Sequence, residues 1–414
     1  MNHIPPYILY LAIPVISALV CGFSIPKVII LAKRKKLFDL PDNHRKIHKE
    51  VIPNLGGVAI FFSFLIVASV FINLKPFHPS VYRFSFPNTW NYLVAASTIL
   101  FVIGIKDDII SLTPSKKFIA QIVAAIITVY LADIRLYSLH GIMGIYIMPG
   151  WFSIMFSIIG CIFITNAFNL IDGIDGLAGT IGALCAFTLG VCLAVQGNYS
   201  AAYVAFALVG SLIGFLRYNI APARIFMGDS GSLFIGFTIA VLSIIFINSF
   251  NTDQTALTSI IHSPKGALLF ALSVLFVPVF DSFRVFVTRI AKGNHPFNAD
   301  RTHLHHYLLD LGFSHSSTVT VLITVNLLII SVSLLVQDLN PNIAIAAILA
   351  FTFGLFGILY FMRKARLAKT EISDDSFTSG NFTNTSLNKE KTRTAAKNIT
   401  LETAALPSVS PEGS

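Results

Sequence analysis

Long uninterrupted runs of apolar residues, ended by basic ones, constrain this chain more than any other feature. "YILYLAIPVISALVCGFSI" (7–25) and "SLFIGFTIAVLSIIFI" (232–247) are two examples. In hydrocarbon every backbone N–H and C=O must be satisfied within the protein, so such runs fold as helices or as strands of a closed barrel. Barrel strands alternate apolar and polar residues, whereas these runs are solid. Bulk composition agrees: 55% of the 414 residues are hydrophobic and 12% are charged, against about 25% charged in soluble proteins. The predicted fold is an all-α polytopic membrane protein. Eleven transmembrane helices are expected, near 6–32, 53–74, 90–105, 117–134, 151–168, 177–196, 200–217, 231–250, 266–290, 318–337 and 342–362. Pro278 and Asp281 interrupt the ninth, which suits a broken helix.

Charge fixes the expected orientation. No basic residue precedes the first apolar run and Lys33, Arg34, Lys35 and Lys36 follow it, the pattern of a retained span rather than a cleaved signal. The first, third, seventh and ninth loops hold most of the remaining Lys and Arg, so the odd loops face the cytoplasm by the positive-inside rule. The N-terminus is then outside and the C-terminus cytoplasmic, in a multi-pass protein of a bacterial plasma membrane. The formal charge of +9 collects at span ends, where it sets orientation, and does not indicate nucleic acid. "IRLYSLHGIMGIYIMPG" (134–150) alternates around two glycines and predicts a small external β-hairpin. Residues 1–366 read as one transmembrane domain, and 367–414, rich in Ser, Thr, Asn, Lys and Glu, as a disordered polar tail. Cys21, Cys161, Cys185 and Cys192 lie in apolar segments without disulfide or zinc spacing.

Five dense polar clusters fall in loops of that one side: 39–57, 104–118, 166–179, 218–233 and 296–312. Ionisable groups at membrane depth are costly and mark function, so five on one face predict one shared site. Asp107 and Asp108 are adjacent, hence about 100° apart on a helix. One can face a reacting group while the other turns to a lysine or a helix N-terminus; a charged loop balancing Lys116 and Lys117 is the plainer alternative. Asn166, Asn169, Asp172 and Asp175 recur every third residue, share a side, and offer the hard oxygens that suit Mg²⁺ or Mn²⁺. Capping of the next helix would account for Asp175 alone. Asp229, between Gly228 and Gly231, suits a metal ligand, a phosphate site at a helix start, or a cap; Phe226 nearby could stack on a base or simply pack. In "DRTHLHH", Arg301, His303, His305 and His306 suit pyrophosphate better than zinc, since no cysteine accompanies them. Asp281 and Arg284, three apart, read as a mutually satisfied intramembrane pair. Acidic oxygens, basic groups and an apolar surround together indicate metal-assisted phosphoryl transfer at the membrane's inner edge.

"GGVAIF", "KDD", "NAFNLIDGIDGLAG", "FMGDSGSL" and "DRTHLHH", in that order, resemble the polyprenyl-phosphate N-acetylhexosamine-1-phosphate transferases (glycosyltransferase family 4). The resemblance covers about residues 30 to 310, and "DRTHLHH" looks like the N-acetylglucosamine-1-phosphate branch. It implies transfer of an N-acetylhexosamine 1-phosphate from a UDP-sugar to undecaprenyl phosphate, with release of UMP, as a first membrane step of cell-envelope polysaccharide synthesis. By position, Asp229 and Asn169 would hold Mg²⁺. Asp107, Asp108 and Lys117 would serve the chemistry, one aspartate as base. Lys49, Asp172, Asp175, Asn219, Phe226, Arg301, His303, His305 and His306 would bind substrate, with Asp175, Asn219 and Phe226 on the uridine side. Partners expected are the UDP-N-acetylhexosamine, undecaprenyl phosphate, the bilayer and a second copy of the chain. Two rivals remain at this level: a phospho-N-acetylmuramoyl-pentapeptide transferase and, from another class, an ion-coupled transporter. The transporter would place polar residues on both sides of the bilayer.

Overall fold

The computed structural model describes residues 6–35, 52–72, 86–250, 255–293 and 302–368. The chain divides into two compact units, Met1–Leu355 and Phe356–Ser414. Lys49 and Arg301 lie outside the described residues, as does the polar tail beyond residue 368.

Among the described residues the first unit is helical, with one hairpin. Its elements are α1 (Pro6–Lys35), α2 (Gly56–Ile72), α3 (Phe86–Ile110) and α4 (Pro114–Ile126), which continues as a π-turn over Ile127–Leu131. Strands β1 (Ser138–Ile142) and β2 (Ile145–Ile147) follow, then α5 (Gly150–Ile171), α6 (Leu177–Val195), α7 (Tyr199–Asn219) and α8 (Asp229–Ser249). After the short α9 (Thr255–Thr258) come α10 (Pro264–Val274), α11 (Phe276–Ala291), α12 (Leu304–Asp310) and α13 (His315–Val336). The last described helix is α14 (Pro341–Ala368).

Among the described residues, eight helices are long and apolar enough to cross a membrane, or nine if α10 and α11 form one bent span. The expected eleven includes two helices that this measure does not admit. Helix α2 is only 17 residues long, and α3 is not among the helices counted. The segment 134–150 pairs as an antiparallel two-stranded ribbon, with Ser138 opposite Ile147 and Ile142 opposite Ile145.

Helix α8 sits at the centre, buried along nearly all its length. A membrane helix has no hydrophobic drive against lipid, so close packing and hydrogen bonds must hold the bundle. Gly236 of α8 meets α5 directly: a Cβ there would lie 2.8 Å from the Phe168 Cβ. Between α1 and α7, hydroxyls supply the link. Ser17 Oγ donates to the Ala207 carbonyl at 2.7 Å and lies 2.8 Å from Ser211 Oγ, which also accepts from Ser63 Oγ of α2 at 2.9 Å. Phe61 of α2 stacks on Phe101 of α3 at 4.0 Å and meets Phe234 of α8 edge-on at 5.2 Å.

The ninth expected span is broken as anticipated: α10 and α11 meet at a 70° bend. The Pro278 ring removes a donor and crowds the carbonyl of Val274, four residues back. The freed backbone groups need partners at this depth, and Asn326 of α13 provides them. Its Nδ2 donates to the Val274 carbonyl and its Oδ1 accepts from Val277 N–H, each at 3.2 Å.

Candidate active site

One end of the bundle gathers the C-terminal ends of α3, α5 and α7 and the N-terminal ends of α2, α4, α6 and α8. Asp107, Asp108, Lys117, Asn169, Asn219 and Asp229 sit on those ends. The opposite end of α8 carries Asn248, which donates to the Arg135 carbonyl beside the hairpin.

The stretch leading into α8 is docked on the start of α2 by three backbone bonds. Phe226 N–H donates to Pro53, Gly56 N–H to Phe226 and Gly57 N–H to Met227, at 2.8–2.9 Å. Contact this close requires glycine at 57, where a Cβ would stand 2.2 Å from Gly231 N and 2.4 Å from Ser230 Oγ. Gly228, with φ of +73°, takes the left-handed turn before the helix. Asp108 completes the joint from α3: its Oδ1 accepts from Asp229 N–H at 2.7 Å and its Oδ2 from Ser230 N–H at 3.1 Å. A carboxylate from one helix thus caps another, satisfying two of its orphan donors and opposing its positive end. The two adjacent aspartates point apart, and Asp108 is the one that turns to a helix N-terminus.

Asp107 faces the other way. Its Oδ1 accepts from Leu112 N–H and its Oδ2 from Lys117 Nζ at 3.1 Å. Lys117, in the first turn of α4, also donates to Asp229 Oδ2 at 2.8 Å, so one ammonium bridges two carboxylates. Asn169, near the end of α5, completes the group: its Nδ2 donates to Asp229 Oδ1 at 2.8 Å and to Ser232 Oγ at 2.9 Å. Four helices therefore bring Asp107, Lys117, Asn169 and Asp229 into direct contact. Among the described residues no three His, Cys, Asp or Glu side chains form a ready metal cage. The hard-oxygen groups assembled here are the two carboxylates and the Asn169 amide.

Around this centre the remaining residues take distinct places. Asn166, one turn before Asn169, exchanges two amide bonds with Gln121 of α4, at 2.6 and 3.1 Å, and steadies the α4–α5 contact. Asp172 lies in the turn between α5 and α6. Desolvation by the surrounding protein pushes its carboxyl up to about 8, with the nearby charges of Asp229, Asp108 and Asp175 adding to the effect. Asp175 is buried; its Oδ2 accepts from Ala223 N–H at 3.2 Å and pairs with His315 Nδ1 at 3.4 Å. Asn219 is also buried, and both ends of its amide go to backbone: Oδ1 accepts from Gly176 N–H and Nδ2 donates to the Ile225 carbonyl, each at 2.9 Å. Phe226 is half-buried beside them.

The histidine segment closes over the 172–176 turn. His305 is buried, and Gly173 leaves room for its Nε2, which a Cβ would meet at 2.6 Å. Burial, reinforced by neighbouring His306, holds the His305 imidazole down to about 3, so it is neutral at ordinary pH. His303 stacks on it with ring centroids 5.7 Å apart, and the His306 ring lies 4.2 Å from that of His305. Sequence reasoning did not pick out Gln121 or His315. His315 stands 140 positions from the carboxylate it meets, and nothing local marks it.

Comparison with known proteins places the chain. The glycosyl transferase family 4 model matches residues 90–247, the stretch from α3 through α8. A decaprenyl-phosphate N-acetylglucosaminephosphotransferase of Mycobacterium leprae is 32% identical over 317 residues, covering 74% of this chain and 78% of that one. The chain belongs to glycosyl transferase family 4. Other relatives in this family include a probable undecaprenyl-phosphate N-acetylglucosaminyl 1-phosphate transferase of Bacillus subtilis, 30% identical over 84% of this chain and 89% of its own length. An undecaprenyl-phosphate alpha-N-acetylglucosaminyl 1-phosphate transferase of Salmonella typhi is 30% identical over 75% and 80%. For this family 4 member, the matched residues include the Asp107, Lys117, Asn169 and Asp229 group.

Proposed function

We propose that the chain transfers N-acetylglucosamine 1-phosphate from its UDP-sugar to undecaprenyl phosphate and releases UMP. The observation that carries this reading is the Asp107–Lys117–Asp229–Asn169 contact at one end of an apolar bundle. A lipid phosphate can reach such a place from the bilayer and a nucleotide from the water. The names of the family 4 relatives support the sugar and the carrier. We further infer eleven crossings, with the N-terminus outside and the site on the cytoplasmic face of the plasma membrane.

The donor set fits a magnesium ion. Mg²⁺ is usually held by one or two carboxylates and substrate phosphates rather than by an all-protein cage, and the Asp229 carboxylate with the Asn169 amide oxygen offers donors of that kind. The Lys117 ammonium between the two carboxylates marks where positive charge is wanted. When bound there, a divalent ion would neutralise diphosphate charge.

The protein's own groups account for the rest. Lys117 supplies a fixed cation beside the reacting phosphates. Asp108 has both oxygens committed to the start of α8, which leaves Asp107 as the aspartate that takes a proton from the acceptor phosphate. The acceptor oxygen forms its bond to the β-phosphorus as the bond to the UMP oxygen breaks, and UMP leaves. His303, His305 and the 172–176 turn line the approach to the same end of the bundle and are assigned to the donor. The test is incubation of membranes containing the protein with labelled UDP-sugars and undecaprenyl phosphate. Label from UDP-N-acetylglucosamine should enter lipid, EDTA should stop it, and Asp229→Asn should abolish it at unchanged protein level. Incorporation only from UDP-N-acetylmuramoyl-pentapeptide, or full activity of Asp229→Asn, overturns the reading.

A further inference from the structure

Asp281 and Arg284 do not form the self-contained pair that their spacing suggests. They lie in α11, buried at the end beyond the 70° bend. Arg284 Nη2 does donate to Asp281 Oδ1, at 2.8 Å. Yet Asp281 Oδ2 is 2.9 Å from His303 Nδ1, and Oδ1 also accepts from Leu304 N–H at 3.0 Å. Arg284 in turn donates to the Thr302 carbonyl and lies 5.3 Å over the Tyr307 ring. The pair therefore clasps the chain from 302 to 307 at four points. A salt bridge meant only to stabilise α11 has no reason to reach another segment so thoroughly. Burying two charges is costly unless they are paired and hydrogen-bonded, and here the histidine segment supplies partners to both.

We propose that Asp281, braced by Arg284, is a positioning residue for the transfer, acting through His303. A carboxylate has no hydrogen to give, so His303 Nδ1 is the donor and the tautomer is fixed. With Nδ1 held, the ring plane is set and Nε2 is the nitrogen presented to the diphosphate of the donor. The stack of His303 on His305, and of His305 against Gly173, carries this placement to the turn beside the reacting group. The proposal rests on the transfer reading for the identity of the ligand, and not for the clasp itself.

Two measurements test it in the full-length protein. The first uses ¹⁵N-histidine labelling in bilayers, with the His303 signal assigned by its loss in His303→Ala. A protonated Nδ1 is expected, with its proton far downfield, moving upfield in Asp281→Asn. An unprotonated Nδ1 in the wild type, or a resonance that Asp281→Asn leaves in place, overturns the proposal. This arm needs no substrate, so a wrong reading of the reaction leaves it standing. The second is a double-mutant cycle on UMP release. Asp281→Asn should lower kcat about 10- to 100-fold, the usual effect of removing a partner that orients a functional histidine, with KM for the UDP-sugar little changed. Asp281→Glu, which keeps the charge, should recover part of the rate. In a His303→Ala background the Asp281→Asn change should cost less than about twofold. Losses that multiply in the double variant would show a merely structural role and refute the assignment.

Discussion

Gly57→Ala tests the central packing claim with a single methyl group. The added Cβ would stand 2.2 Å from Gly231 N, 2.4 Å from Ser230 Oγ and 2.6 Å from the Ser230 carbonyl carbon. Two of those atoms are backbone and cannot rotate away. Restoring van der Waals contact, at about 3.5 Å, requires the start of α8 to retreat from α2 by about 1 Å. Overpacking of this kind costs about 1–3 kcal/mol of stability, which the bundle can absorb. Function should suffer more, because the part that moves carries Asp229, 2.8 Å from Lys117 and Asn169. A misplacement of about 1 Å at a reacting centre can cost about 100-fold in rate. The expected result is a protein that inserts and purifies normally but releases UMP about 100-fold more slowly. Gly160→Ala is the control: it lies on α5, the helix of Asn169, with nothing within 4 Å of the new Cβ. It should be neutral in activity. A Gly57→Ala enzyme within twofold of wild type would refute the reasoning that this contact sets the site.

Three further outcomes follow from the geometry. Asp108→Ala removes both acceptors at the start of α8, so stability should fall by about 1 kcal/mol, seen as a melting temperature a few degrees lower in detergent. Lys117→Met should lower kcat at least 100-fold while leaving the protein folded, since it removes the cation between Asp107 and Asp229; a loss confined to KM would count against the role given to Lys117. Asp172 titrates near 8 in the folded protein and near 4 when unfolded. The folded state then holds more protons between those values, so this group makes stability fall as pH rises from about 4 to about 8. Asp172→Asn should flatten that slope and gain most over wild type near pH 8, as read by thermal unfolding across the range.

Much of the site was legible because membrane chains put polar groups where they are needed and hardly anywhere else. Asp107, Lys117, Asn169 and Asp229 stood out against apolar surroundings, and the contrast between two adjacent aspartates follows from helix geometry alone. What stayed hidden depends on contacts between distant segments. The reach of Asp281 to His303 spans 22 positions, and spacing along α11 points only to Arg284. Gly57 and Gly210 look like ordinary helix glycines until α8 and α1 are laid against them, where a Cβ would meet backbone at 2.2 Å in both cases. The Asn219 amide ties the turn at Gly176, 43 positions away, to the loop at Ile225, a link that nothing in the local sequence marks. The span count differs for a related reason: α2, at 17 residues, is too short to rank with the other helices by length, and its packing on α8 shows that it belongs to the same bundle.

The sharpest question is which bond of the donor breaks. Donor carrying ³²P in its β-phosphate should deliver the label to lipid together with the sugar, leaving unlabelled UMP in the water. If the sugar reaches lipid while the ³²P stays behind in UDP, the chain moves a sugar and not a sugar phosphate, and the centre built by Asp107, Lys117, Asn169 and Asp229 has been misread.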